Sequence, residues 1–239
     1  ANLADQAKDK TSALGQAVDN LATALKSGTT QQSIDATNAL TGADGALAKA
    51  TEAVKNAKGD YAGKAVTDLV PVNLSDNAAL NTAAQNLLDT ANSDYATADD
   101  LKSAKSAYEN AKTAAETALR TSTADAKTAQ TNIAKNLASD TDVMAANDKL
   151  QKLLDAPETS TKTAIDDAVK ALTNAESAAK ATLAAAKDSA AKNMPATAPV
   201  SSEAQVIAAK KALTDAIAEG STASTADIKN LQDALTDAI

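Results

Sequence analysis

The chain has 239 residues, 44% of them hydrophobic, but only 1% aromatic, with no Phe, Trp, Cys or His and about sixty alanines. That composition excludes one wide core, because an alanine methyl buries little area at roughly 25 cal/mol per Å²; alanine favours slender helices that approach closely. A net charge of −8 and a pI near 4.6, with Lys and Asp interspersed, argue against nucleic-acid binding, and the missing His and Cys remove the usual nucleophile–base pairs, zinc ligands and disulfides.

The opening ANLADQAKDK has neither the basic start nor the apolar core of a signal peptide and reads as a mature secreted product or an excised fragment. The first helix is expected from about Leu3 to Lys26, with Ala4, Ala7, Thr11, Leu14, Val18, Leu21 and Leu25 facing inward. These steps of three and four are the seam pattern of packed helices. Gly28 stops it, and Thr29 or Thr30 caps the next helix.

This second helix carries Ala36, Leu40, Ala43, Leu47, Ala50, Val54 and Ala57. Gly42, Gly45, Gly59 and Gly63 predict bends, since each costs up to about 1 kcal/mol against alanine. The apolar pattern resumes at Tyr61, Ala65, Val66 and Leu69 before Pro71 ends it. A short helix after a cap at Ser75 presents Leu80, Ala84, Leu87, Leu88 and Ala91. Thr97 then caps a long helix with Leu101, Ala104, Tyr108, Ala111, Ala115, Ala118, Ser122, Ala126, Ala129, Ile133 and Leu137 on its seam. Its weakest stretch is the polar run from Arg120 to Thr128.

A third short helix holds Val143, Met144, Leu150, Leu153 and Leu154, and a long one runs from Ile165 to about Asn193. A linker from Pro195 to Pro199 comes next. A fourth short helix carries Val206, Leu213 and Ile217, stops at Gly220, and leads to Ile228, Leu231, Leu235 and Ile239. The closing LTDAI stops in mid-heptad and reads as a boundary inside a longer parent protein.

Val143 to Ala175 lies on Val206 to Ala238 without a gap at an offset of sixty-three. Val143 meets Val206, Leu150 meets Leu213, Ile165 meets Ile228 and Leu172 meets Leu235. Recurrence at this period is the mark of stacked helical units. The expected repeats are 1-70, 71-138, 139-195 and a truncated 196-239, each a shorter helix, a turn and a longer helix. Leu101 to Leu137 spans 36 positions and Ile165 to Met194 spans 29. The difference is one heptad, an insertion that keeps the apolar stripe facing its partner. The expected fold class is therefore all-α, with tandem three-helix-bundle-like repeats of antiparallel helices arranged as an elongated rod.

VIAAKKALTDAIAEG, from Val206 to Gly220, resembles the V-x-x-A-x-x-x-L-x-x-A-I segment of FIVAR-type repeats. NLQDALTDA, from Asn230 to Ala238, is similar to their L-x-x-A-L-x-x-A segment, and LGQAVDNLATAL, from Leu14 to Leu25, is a looser version. The resemblance implies three-helix bundles strung along large surface proteins of Gram-positive bacteria, some of which bind host matrix proteins or glycans. The Tyr and Trp that often mark the turn and second helix of that family are absent here.

Candidate chemistry is sparse. Asp99–Asp100 and Asp166–Asp167 are the adjacent acidic pairs at which a carboxylate calcium site is conceivable, but both are expected in first turns of helices, where carboxylates complement the helix dipole. No EF-hand spacing or glycine-rich phosphate loop is present. GADG, Gly42 to Gly45, reads as an irregularity within a helix, and Lys210–Lys211 as solvated surface. Tyr61 and Tyr108 are expected in the core, while at Tyr95 a glycan contact competes with simple local packing. The Asn73 sequon matters only in a eukaryote. No catalytic, cofactor or metal residue is assigned, and no cofactor is expected.

The expected function is a non-enzymatic spacer or stalk of a bacterial cell-surface protein, located outside the cell at the surface or wall and projecting a head. The first alternative is an adhesive repeat that itself binds a host extracellular-matrix protein or a glycan; the second is a surface-layer or filament subunit.

Overall fold

The computed structural model describes residues 3–93, 96–194 and 204–239. All regular structure among them is helical, without a strand. The chain divides into two compact units, Ala1–Thr117 and Ala118–Ile239, a division that falls inside the expected repeat 71-138. The sequence from Pro195 to Pro199, like Tyr95, lies outside the described residues.

The first unit opens with α1 (Leu3–Lys8) and α2 (Ala13–Ser27), so the single helix expected from Leu3 to Lys26 is in fact two. The break has a local cause. The Asp9 carboxylate accepts from the Thr11 backbone N–H at 2.9 Å and its hydroxyl at 2.6 Å, and Ser12 Oγ accepts from Gly15 N at 2.8 Å to cap α2. Side chains that satisfy backbone donors in this way compete with helix continuation. Position 15 must be glycine, because a Cβ there would stand 1.9 Å from the Asp9 carbonyl oxygen. Thr11 is consequently exposed, not on a seam.

The helix expected over Ala36–Ala57 is also two, α3 (Thr30–Thr41) and α4 (Ala46–Gly59). Gly42 N bonds to Asn38 O at 2.8 Å and Gly45 N to Gly42 O at 2.8 Å, while a Cβ on Gly45 would lie 2.7 Å from the Leu40 carbonyl oxygen. GADG is therefore an interhelical turn, not an irregularity within a helix, and Ala43 on it is exposed. Thr29 caps α3 through a reciprocal box with Gln32. Helices α2, α3 and α4 pack pairwise, yet α3 and α4 bury no residue.

After α5 (Val66–Leu69) and a 3₁₀ turn (Val72–Leu74), α6 (Ala78–Asn92) starts at an Asn77 cap, with Asn77 Oδ1 accepting from Leu80 N at 2.9 Å. The expected cap, Ser75, instead donates to Val72 O. The buried face of α6 is the one read from the sequence: Leu80, Ala84, Leu87, Leu88 and Ala91. Helix α7 (Ala98–Thr131) continues without a break across Arg120–Thr128. Two positions of that polar run, Ser122 and Ala126, are buried.

The second unit holds the end of α7, then α8 (Thr141–Leu154), α9 (Lys162–Asn193), α10 (Ala204–Ile217) and α11 (Thr225–Ala238). Helix α7 stops at Thr131, and Leu137 is buried from the turn beyond it, not from the helix. With 34 residues in α7 and 32 in α9, no inserted heptad separates the two long helices. Asn132 ends the ladder, its N–H shared between Thr128 O and Ala129 O.

Helix α9 organises this unit. Gln130 Nε2 donates to Asn147 Oδ1 at 2.9 Å and ties α7 to α8, which packs on α9. Toward the other end, α10 and α11 pack on α9 and on each other, and Lys187 Nζ of α9 donates to Ala218 O just past the end of α10 at 3.3 Å. One apolar seam runs along α9 from Ile165 and Leu172 to Leu183 and Ala190, joined by Leu150 and Val143 of α8 and by Val206, Leu213, Ile228 and Leu235 of the last two helices. Helices α8 and α10 have bounds 63 residues apart, as do the starts of α9 and α11. The pairs Val143/Val206, Leu150/Leu213, Ile165/Ile228 and Leu172/Leu235 are all buried.

Candidate functional site

Asp99 and Asp100 lie in the first turn of α7, as expected. Asp100 accepts from the Thr97 hydroxyl at 2.8 Å and its backbone N–H at 3.0 Å, and those bonds, the hydroxyl's first, hold its carboxyl below the usual range. Asp166 and Asp167 are not in a first turn: α9 begins at Lys162 under a Thr161 cap, with no acidic residue in its first turn. Among the described residues no group of three or more carboxylates could hold a metal ion.

Asp166 has a different part, which the sequence did not announce. The buried Ser122 of α7 donates its hydroxyl to Asp166 Oδ1, and Lys162, one turn earlier on α9, pairs with Oδ2. Burial raises the Asp166 pKa, but the hydrogen bonds from Lys162 and Ser122 and the lysine charge outweigh it and leave the group lowered. This is an interhelical tie that fixes α7 on α9. The signal available in the sequence was a lone Ser at an otherwise alanine seam position.

A cleft of about 290 Å³ lies in the second unit. The turn after α7 supplies Asn136, Leu137 and Asp140, and the start of α11 supplies Ser224, Thr225 and Lys229. Two helix N-termini open there, each with part of its first turn capped. Asp140 Oδ1 accepts from Asp142 N and Val143 N at 3.0 and 3.2 Å. Ser224 Oγ accepts from Asp227 N at 3.2 Å, while Asp227 Oδ2 accepts from Ser224 N at 2.9 Å. The Ser224 N–H, then its hydroxyl, lower the Asp227 pKa. Among the described residues no buried side-chain nitrogen or oxygen lacks a hydrogen-bond partner, so none points to a ligand.

Tyr108 and Tyr61 are half-buried in the first unit's cluster with Leu87, Ala91 and Leu101, where the sequence places them. Tyr108 also donates its hydroxyl to Leu69 O at 2.6 Å. Its pKa is raised, by burial first and then by Tyr61, Glu116 and Glu109. Asn73 sits in the 3₁₀ turn, half-buried. Lys211 is exposed and pairs with Asp215 at 2.7 Å, an i,i+4 contact on α10; Lys210 is half-buried. No described helix is long and apolar enough to cross a membrane. No family model, curated protein or solved structure matches the chain.

Proposed function

We propose that the chain is a non-enzymatic spacer: tandem three-helix-bundle-like repeats of the FIVAR-like kind, forming a rod that projects a head from a bacterial cell wall. The observation that carries this reading is the role of α9. Near its start α9 is tied to α7 by Ser122–Asp166 and packs with α8; it also packs with α10 and α11, with Lys187 near its end bonding Ala218 O. A helix that hands its apolar stripe from one pair of partners to the next extends a structure lengthwise and closes no central chamber. The 63-residue recurrence of helix bounds and buried positions supports serial units, and the acidic, threonine-rich exterior suits an extracellular surface.

Small-angle scattering tests it. A compact globule of 239 residues has a radius of gyration near 18 Å; the serial arrangement predicts at least about 25 Å, given helices of roughly 50 Å placed in series. A value near 18 Å would overturn the rod and with it the spacer. An adhesive role for the repeats is the second reading, favoured by the cleft between the turn after α7 and the start of α11. Its lining of hydroxyls and an amide, with one acidic and one basic side chain, suits a glycan. Binding on a glycan array that Thr225→Arg abolishes would favour adhesion, and uniform failure to bind glycans or matrix proteins would leave the spacer.

A further inference from the structure

We infer that the segment from Leu3 to Gly59, the α2–α3–α4 bundle with α1 packed on it, is a yielding element that opens as a unit and recloses while the rest of the chain stays folded. Its role as a load-limiting section rests on the spacer reading; its opening does not.

Helices of 12 to 15 residues are marginal in water by themselves and depend on tertiary packing. Ordering each residue costs on the order of 1–2 kcal/mol of backbone entropy, which buried apolar layers must help offset. In α6 five residues are buried and in α9 six. In α3 and α4 there are none, and α2 buries only Leu14, Gly15 and Ala17. The large side chains that should fill the layers stand in water instead: Leu25 is 69% exposed, Ile34 47% and Leu47 39%.

Polar contacts do not replace those layers. The bond from Ser33 Oγ to Ala24 O joins α2 to α3 at 3.2 Å. The ion pair Lys10–Asp19, at 3.1 Å, is 75% and 54% exposed, and such pairs add little. Composition works in the same direction. Helix α3, TQQSIDATNALT, is dominated by residues of middling helix propensity. Thr37 and Thr41 turn their hydroxyls onto the carbonyls four residues back, at 2.8 and 2.9 Å, instead of onto a neighbouring helix. Glycine-bearing turns separate the helices at Gly28 and at Gly42–Gly45; α1 packs on α2 and α4 and opens with them, and what must part from the rest of the unit is Ala57 at the edge of the Leu87 cluster and the Lys58 bond to Ser93 O. The free energy of local opening tracks the apolar contacts it breaks, and here few are broken.

Pulling a single full-length chain by its two ends in optical tweezers tests this. The event at lowest force should release about 190 Å of extended chain, the contour of the residues from Leu3 to Gly59, and should reverse on relaxation. Asn38→Pro, in the interior of α3, should abolish that event and leave the later ones in place. Ala36→Gly should lower its force without touching the others. The inference is overturned if the first event releases a different length, if Asn38→Pro leaves it unchanged, or if the whole chain yields in one step. A scattering result near 18 Å would end the spacer reading and leave this opening to be judged by the pulling data.

Discussion

The α2–α3–α4 bundle and the bundles on α9 share a seam pattern but not a core. Both place apolar residues at steps of three and four. On α9 nearly every inward turn is filled by a Leu, Ile or Val from one side or the other, and these are buried: Leu150, Ile165, Leu172, Val206, Leu213, Ile228 and Leu235. In the N-terminal bundle the inward positions of α3 and α4 are mostly alanine, and the few large residues are half-buried or exposed. Periodicity tells a helix where to face, whereas side-chain volume sets how much free energy that facing returns. Two bundles alike in pattern therefore differ in stability.

The sharpest way to break the comparison is to remove the same atoms from both. Leu150→Ala or Leu172→Ala, at fully buried positions, should cost about 3–5 kcal/mol of the second unit's stability in urea unfolding. Leu47→Ala, at a position 39% exposed, should cost about 1 kcal/mol or less. Equal costs would erase the distinction.

A smaller effect is expected at Tyr108. Tyr108→Phe removes the donor to Leu69 O and should destabilise the first unit by about 1–2 kcal/mol, part of it from the carbonyl left without its partner. The tyrosine also gives a pH signature. Its folded pKa is raised above the ordinary 10.0, so its contribution is complete below pH 10 and is lost as pH rises through the folded value. Tyr108→Phe should remove that alkaline decline in a pH series of thermal unfolding.

At the helix starts, Asp140→Ala deletes the acceptor of two α8 N–H groups and should cost about 1 kcal/mol. The Asp166 tie contributes, with Asp227, to the acid limb of the second unit. Its carboxyl is lowered below 3.8, so its contribution is present above about pH 4 and lost as pH falls through the folded value. Asp166→Asn should flatten that limb in acid titrations monitored by circular dichroism. Lys10→Ala, which breaks an exposed pair, should change stability by no more than about 0.5 kcal/mol.

The residues show why some of the fold was legible and some was not. The inner face of α6 and the matched pairs of α8–α11 could be read directly, because scarce large apolar residues at helical spacing have few other places to go. The all-α class came from the same pattern. The breaks at Asp9–Ser12 and Gly42–Gly45 were missed because the apolar steps continue across them. They are set by local hydrogen bonds from Asp9 and Ser12 and by the close approach at Gly45, which periodicity does not see. Leu137 kept the heptad phase but is buried from a turn, an ambiguity inherent in any single apolar residue past a helix end. The Ser122–Asp166 tie joins residues 44 positions apart, and nothing in either neighbourhood announces the other.

Native-state hydrogen exchange, resolved helix by helix on the intact chain, tests most directly whether buried side-chain volume governs where this molecule is stable. Amides of α3 and α4 are predicted to exchange at least about tenfold faster than those in the middle of α6 and α9, since local opening breaks few apolar contacts there. Uniform protection across all four helices, or slowest exchange in α3 and α4, would contradict the account.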